Sequence, residues 1–597
     1  MSEKRENTSL LGFLKFFRKL LGVRLYLYIV FNIVVSLLDG LGLAMFIPLI
    51  GFATGGMDTT ESLGRLNFIP DLFKQMGINL SLSKTLAVIV VIFSLKAILV
   101  YLRQLFFIKL RLKALKDIRN NLIDHLDSVN YLYFSKTEPG KIQFNMVGET
   151  TRLIQTMTSY IRVLQHIVIV ATYLTLAVFT NWQFSILVII GALSSNIIYK
   201  KINSATKKEA KKISGHGNVF NNYLIQALQN FKYLKSTNTF QQYKQKLKAS
   251  IHSFEYSNFR LGRLNAIAES LREPLIIIII SVMLVFQIKV IHGDVGGILV
   301  SLLFFYRGLS HLVQMQNDWN LFLSNSASVA ALEGLKNDFA ENSEPKQLMT
   351  YEYPELNSVE LRNISVTLGN RKILNEINCT IDHKATIALV GQSGAGKTTL
   401  ANVLIGLIPP DSGQILVNGT IIDQSHLTAF RKKIGYITQE PVMFDDTIFN
   451  NITLWDTPST ESLERFYECL HLVHLTTFIN ELPNKENTKL GTSGIQISGG
   501  QKQRVSIARE LYRNVDLLVM DEATSALDSE TEVIIKDNIE ALQGKYMLVI
   551  IAHRLSTIKN ADKIFIMSQG KIVASGTYSE LLSSSSKFKK MIELQEI

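Results

Sequence analysis

Cysteine is nearly absent from this chain of 597 residues. The two that occur, Cys379 and Cys469, share no CxxC spacing, which excludes a disulfide framework and a cysteine-built zinc site. A cleavable leader is missing too. Residues 9–21, SLLGFLKFFRKLL, are basic and amphipathic and carry no small-residue cleavage site, so they read as an interfacial helix on the cytoplasmic leaflet. Internal repeats and low-complexity tracts are lacking. Lys and Arg outnumber Asp and Glu by 62 to 50, a net charge of +12, yet no basic-aromatic motif accompanies the surplus. The charge therefore reads as membrane topology and attraction to a lipid surface, with no nucleic acid as partner.

Apolar residues are in excess. They make up 47% of the chain, for a mean hydropathy of +0.18, and the long runs all precede residue 313. A helix needs roughly 20 apolar residues to cross about 30 Å of hydrocarbon. Six segments qualify: 25–52, 86–107, 161–180, 184–199, 274–290 and 297–312, the last two extending into polar flanks. Cations set the orientation. They crowd the N-terminal flank (Lys15, Arg18, Lys19, Arg24), the segment after the second span (Lys109, Arg111, Lys113, Lys116, Arg119) and the segment after the fourth (Lys200, Lys201, Lys207, Lys208). The intervening loops hold few: 53–82 has only Arg65 and Lys74. The cation-rich side is the cytoplasm. Two long polar stretches there, 109–160 and 200–273, keep helical periodicity and read as cytoplasmic extensions of the spanning helices.

The C-terminal part carries the chemistry. Residues 391–398, GQSGAGKT, fit the phosphate-loop pattern GxxxxGK[ST]. An apolar strand ends at Val390, a Gly-rich turn follows, and a helix is expected from Thr398. Backbone N–H groups of Gly391, Ser393, Gly394 and Gly396 can face a triphosphate. Lys397 reaches its β/γ-phosphates, and Thr398, with Thr399 beside it, offers a hydroxyl to Mg²⁺. Ser498-Gly499-Gly500-Gln501 opens a helical run, as an N-cap and an anion site at once. The run Leu517–Met520 delivers Asp521 and Glu522 at a strand end: Asp521 to hold Mg²⁺, Glu522 to polarise an attacking water. A further strand, 547–552, ends at His553.

Taken in order, these motifs resemble those of ABC transporters, over residues 359–582. The phosphate loop matches Walker A, 517–521 Walker B, Glu522 the catalytic glutamate, and 497–501 the family signature. Ser525–Asp528 matches the D-loop, His553 the switch histidine and Gln439 the Q-loop glutamine, a further Mg²⁺ contact. The rhythm of spans and long cytoplasmic stretches is similar to that of ABC exporters, with bends near 133–140 and 229–233 where short coupling helices are expected. Two departures stand out. Leu368 occupies the place of an aromatic that stacks on adenine, and Thr492 replaces a glutamate before the signature.

The resemblance implies an α-helical six-span membrane domain over 1–340, a linker over 341–356, and an α/β P-loop ABC ATPase domain over 357–597. It implies ATP and Mg²⁺ as cofactors and a second copy of the chain as partner, with Walker A of one chain facing Ser498–Gln501 of the other. The expected activity is ATP-driven export or flipping of an amphipathic or lipid-linked substrate from a bacterial inner membrane, with the ATPase domain in the cytoplasm. Residues 37–48 and 67–77 are locally similar to bacterial lipid-linked oligosaccharide flippases. An exporter of peptides or drugs, or an ATP-gated channel or regulator, would use the same machinery. Three intramembrane cations, Lys96, Arg272 and Arg307, are candidates for guiding an anionic head group; pairing of Arg307 with Asp39 is the structural alternative.

Overall fold

The computed structural model describes residues 10–46, 49, 81–180, 182–286, 295–345, 353–423, 426–491, 494–521, 529–552 and 558–593. The chain separates into two compact units, Met1–Val129 with Lys136–Ser343, and Asn130–Ser135 with Glu344–Ile597.

The first unit is helical. It runs α1 (Leu10–Leu21), α2 (Arg24–Ala44), α3 (Leu82–Asp127), α4 (Tyr131–Lys136), α5 (Pro139–Gln143), a π-helical turn (Phe144–Glu149), α6 (Thr150–Thr180) and α7 (Trp182–Gln229). Then follow α8 (Phe231–Ser236), α9 (Phe240–Ser270), α10 (Arg272–Phe286), α11 (Val295–Asn325) and α12 (Ala327–Glu341). The first residues of α4 belong to the second unit. Among the described residues, three helical stretches are long and apolar enough to cross a membrane: Arg24–Ala44, Leu82–Asp127 and Pro139–Phe179. The remaining expected spans fall on α7, α10 and α11. The 46 residues of α3 contain neither Gly nor Pro, so nothing in them interrupts the hydrogen-bond ladder. At 1.5 Å per residue α3 is roughly 69 Å long, more than twice the hydrocarbon thickness. The long polar stretches are thus continuations of the spanning helices.

Several polar residues inside this unit pair across helices. Lys96 of α3 forms an ion pair with Asp39 of α2, and the Tyr173 hydroxyl of α6 donates to the other oxygen of Asp39 at 2.7 Å. This corrects the expected alternative: Asp39 is taken by Lys96, and Arg307 stands exposed on α11. One stripe of α1 packs on the protein: Phe13, Phe17 and Leu21, four residues apart, are buried. Phe13 packs edge-on against Phe322 at 4.7 Å, and Phe17 lies 5.1 Å from Tyr160.

The second unit is α/β. An antiparallel sheet has the order β2-β1-β4-β5: β1 (Ser358–Leu368), β2 (Arg371–Asp382), β4 (Ser412–Val417) and β5 (Thr420–Ile421). The main sheet has the order β10-β9-β3-β8-β7-β6: β3 (Thr386–Gly391), β6 (Ile434–Ile437), β7 (Leu517–Asp521), β8 (Met547–Ile551), β9 (Lys563–Ser568) and β10 (Lys571–Gly576). All but β10 run parallel. Strands β3, β7 and β8 are buried along nearly their whole length and apolar in their centres, because both faces are covered. One core holds Val390, Leu518, Leu548 and the helices α13 (Thr460–Leu472) and α14 (Gly499–Tyr512); the other holds Leu389, Val519, Val549 and the antiparallel sheet. Leu132 from α4 packs on this second core.

Candidate functional site

In a parallel sheet, ligand chemistry collects beyond the carboxyl ends of the strands. Register aligns those ends here. Leu389 of β3 and Asp521 of β7 both pair with Ile551 of β8, and Ile437 of β6 pairs with Met520. The phosphate loop after β3, Asp521 at the end of β7, Gln439 just after β6 and Ala552 just after β8 therefore share one edge. With strands about 4.8 Å apart, Asp521 stands roughly 10 Å of sheet from β3.

The loop's shape depends on glycine. Gly394 and Gly396 adopt φ of +77° and +102°, and a Cβ on Gly396 would lie 2.9 Å from Leu374 and 3.2 Å from the Ile373 carbonyl. The helix opens one residue earlier than expected, at Lys397, with Gly396 as its N-cap. Lys397 is only 6% exposed and folds back onto the loop, donating to the carbonyls of Gly391 at 2.8 Å and Gln392 at 3.3 Å. Around it Ser393, Gly394 and Thr398 are open to solvent and Thr399 partly so. A buried ammonium beside neutral carbonyls and exposed N–H groups suits a polyphosphate. A hydroxyl at Thr398 and the carboxylate of Asp521 suit Mg²⁺, which would neutralise phosphate charge when bound.

Asp521 is buried at 8% exposure. The Tyr436 hydroxyl approaches its Oδ2 at 3.5 Å, and burial, reinforced by the Asp521 charge, pushes the phenol up to about 12. The sequence alone does not single out Tyr436 as a site residue. Its signal was position alone: a polar aromatic on the strand beside Walker B.

Ser498 caps α14 by a reciprocal box: its Oγ accepts from Gln501 N at 3.3 Å, and Gln501 Oε1 accepts from Ser498 N at 2.8 Å. Ser498 and Gly499 are exposed. Helix α14 lies beside β6, three strands from β3, so roughly 14 Å of sheet separates this chain's signature from its own phosphate loop. Arg509 ties α14 to the Q-loop segment. It is 6% exposed and donates to Asn451 O at 2.7 Å, Val442 O at 2.9 Å and Asn451 Oδ1 at 3.3 Å. Sequence reading missed it, because its partners lie 58 and 67 residues away.

Leu368 is half-buried at the end of β1, paired with Arg371 across the hairpin and packed on the second core. Glu522, Asp528, His553 and Thr492 lie outside the described residues, as does segment 67–77. The side chain of Arg272 is likewise outside them. The cysteines are buried, and burial pushes Cys379 up to about 12 and Cys469 up to about 11, which suits packing and not reactivity.

Residues 25–315 match the family model for the ABC transporter transmembrane region, and 374–525 that for the ABC transporter itself. The chain is 31% identical to the heterocyst differentiation ATP-binding protein HepA of Nostoc, over 80% of this chain and 78% of that protein. It is 28% identical to an ATP-dependent lipid A-core flippase of Desulfotalea psychrophila, over 85% and 89%. A solved bacterial Atm1-family ABC exporter with ATP bound superposes with a TM-score of 0.79, at 22% identity, covering 96% of this chain and 98% of the other, which establishes a shared fold.

Proposed function

Because the chain belongs to the ABC transporter family as an exporter half-transporter, we propose that it moves a lipid-like or lipid-linked substrate across a bacterial inner membrane as a homodimer. It is an integral membrane protein whose ATPase domain couples hydrolysis to export. The cation bias of its loops supports a cytoplasmic ATPase domain.

One observation carries the dimer. Ser498 and Gly499 at the start of the signature turn face solvent, three strands from the phosphate loop that the turn is expected to complete. A second copy can bring its own turn to that loop. Apolar groups stand open for such contacts: Ile495 beside the signature is 82% exposed, and Phe231 and Tyr233 of the second bend are 48% and 67% exposed.

In the composite site, Lys397 and the loop N–H groups bind the triphosphate. Asp521, Thr398 and Gln439 hold Mg²⁺. Glu522 takes the proton of the attacking water, and His553 steadies the γ-phosphate. Asp528 and the partner's signature close the site. ATP favours the closed dimer and hydrolysis reopens it, so substrate affinity must differ between the two states for transport to follow. The lipid-like substrate rests on the flippases among the relatives, and the mixture of apolar spans with inward polar groups suits an amphipathic cargo.

The test is reconstitution in vesicles with a fluorescently labelled phospholipid. ATP-dependent protection of the label from an external quencher is expected. Ion current with ATP and no lipid movement would favour the channel, and peptide or drug export without lipid movement would remove the lipid-like cargo.

A further inference from the structure

Between α3, α6 and α11 the helical unit forms a chamber of about 300 Å³ that no sequence motif marks. Four carboxamides line it: Gln104, Gln165, Gln314 and Asn317. Each offers both donors and an acceptor. The charged residues of the wall offset one another. Asp318 takes His166 Nε2 at 3.2 Å on one oxygen, and Arg162 lies 3.9 Å from the other. His166 continues to His311, with their Nδ1 atoms 3.2 Å apart.

Much of the carboxamide capacity is unspent. Gln165 accepts from the Tyr28 hydroxyl at 3.3 Å, which leaves its amide N–H groups open. Gln104 is exposed and lines the chamber with its carboxamide. Asn317 Oδ1 is buried with no hydrogen-bond partner among the described residues. An unpaired buried oxygen such as Asn317 Oδ1 is unfavourable and calls for a donor, while the free N–H groups of Gln165 call for an acceptor, so a ligand that both donates and accepts suits the wall. A phosphate accepts only and would meet the Asp318 carboxylate; a sugar hydroxyl does both. The volume is at the small end for ligand sites, suited to a head group and not to acyl chains. Gln104 and Arg162 each lie within a turn of the cytoplasmic ends expected for their spans, and Gln314 just beyond its own, so the chamber sits at the level of the inner head groups.

We propose that this chamber binds the neutral, hydroxyl-rich head group of a glycosyl lipid on the cytoplasmic side of the membrane. The assignment rests on the lipid-transport reading and gives it a substrate class, distinct from the anionic guide expected of Arg307.

The test uses the full chain in phosphatidylcholine nanodiscs, with labelled diglucosyl diacylglycerol and labelled phosphatidic acid as probes. Saturable binding of the diglucosyl lipid is expected, about tenfold tighter than phosphatidic acid. Asn317→Leu and Gln165→Leu should each weaken it about fivefold, the usual worth of one neutral hydrogen bond, and Asn317→Gln should restore it. Equal or tighter binding of phosphatidic acid overturns the proposal, and this comparison needs no variant to fold. Unchanged affinity in folded Leu variants overturns it too. ATP-driven flipping is scored separately. Its loss with head-group binding intact would sink the transport reading alone; flipping with no preference for the glycosyl probe would sink the chamber alone.

Discussion

Two lysines, Lys397 and Lys96, show how differently the two regions handle charge. Lys397 is held by the backbone carbonyls of Gly391 and Gln392, which orient an ammonium without cancelling it. Lys96 is held by the Asp39 carboxylate, itself gripped by Tyr173. The first is anchored to the backbone of the loop it belongs to. The second is already neutralised, and its work is to tie α2 to α3 in a medium where an unpaired charge is costly. The ATPase region thus gathers its polar groups along one sheet edge, from segments that follow neighbouring strands, while the membrane region pairs many of its own across helices far apart in sequence.

The sharpest way to break this contrast is to strip Lys96 of its partner. Asp39→Leu should destabilise the helical unit by about 3–5 kcal/mol, seen as lost yield and a lower melting temperature, and the double variant Asp39→Leu/Lys96→Met should recover most of it. A single variant as stable as the parent would mean that Lys96 is free for substrate after all. In the ATPase region the counterpart is Glu522→Gln, which should bind ATP and turn over at least about a hundredfold more slowly. Near-normal hydrolysis would remove Glu522 from the base role.

Arg509→Met probes whether the ATPase region also depends on dispersed polar ties. Losing its bonds to Val442 and Asn451 should cost about 2 kcal/mol and detach the signature helix from the Q-loop. A calorimetric melt with hydrolysis at matched temperature would show both effects; a change in neither would make the tie ornamental. The smallest effect is expected at Leu368. Leu368→Tyr should tighten ATP binding several-fold and raise ATP preference over GTP, since stacking is worth about 0.5–1.5 kcal/mol. Unchanged nucleotide affinities would place Leu368 off the base.

The same contrast explains what could be read in advance. The phosphate loop, signature and Walker B strand are contiguous because a turn or strand end supplies their geometry locally, so order along the chain nearly equals order in space. Spans and long helices were legible for a similar reason: hydropathy and the absence of Gly and Pro are local. The membrane polar groups were not. Asp39 finds Lys96 and Tyr173 at separations of 57 and 134 residues, and His166 finds His311 at 145. Nothing in one sequence ranks Lys96 above Arg307 as the partner of Asp39; helix packing decides it. The burial of α1 was hidden likewise, since an amphipathic stripe fits a lipid surface or a protein groove equally well.

The unbroken length of α3 has a mechanical meaning. A rod of roughly 69 Å without Gly or Pro has no built-in hinge, so it tilts as a whole. A tilt of about 10° sweeps its tip through roughly 12 Å, while a point one helical turn from the pivot moves only about 1 Å. Such a helix is a lever: a displacement too small to disturb the packing at one end becomes, at the other, a gap wide enough to admit a molecule.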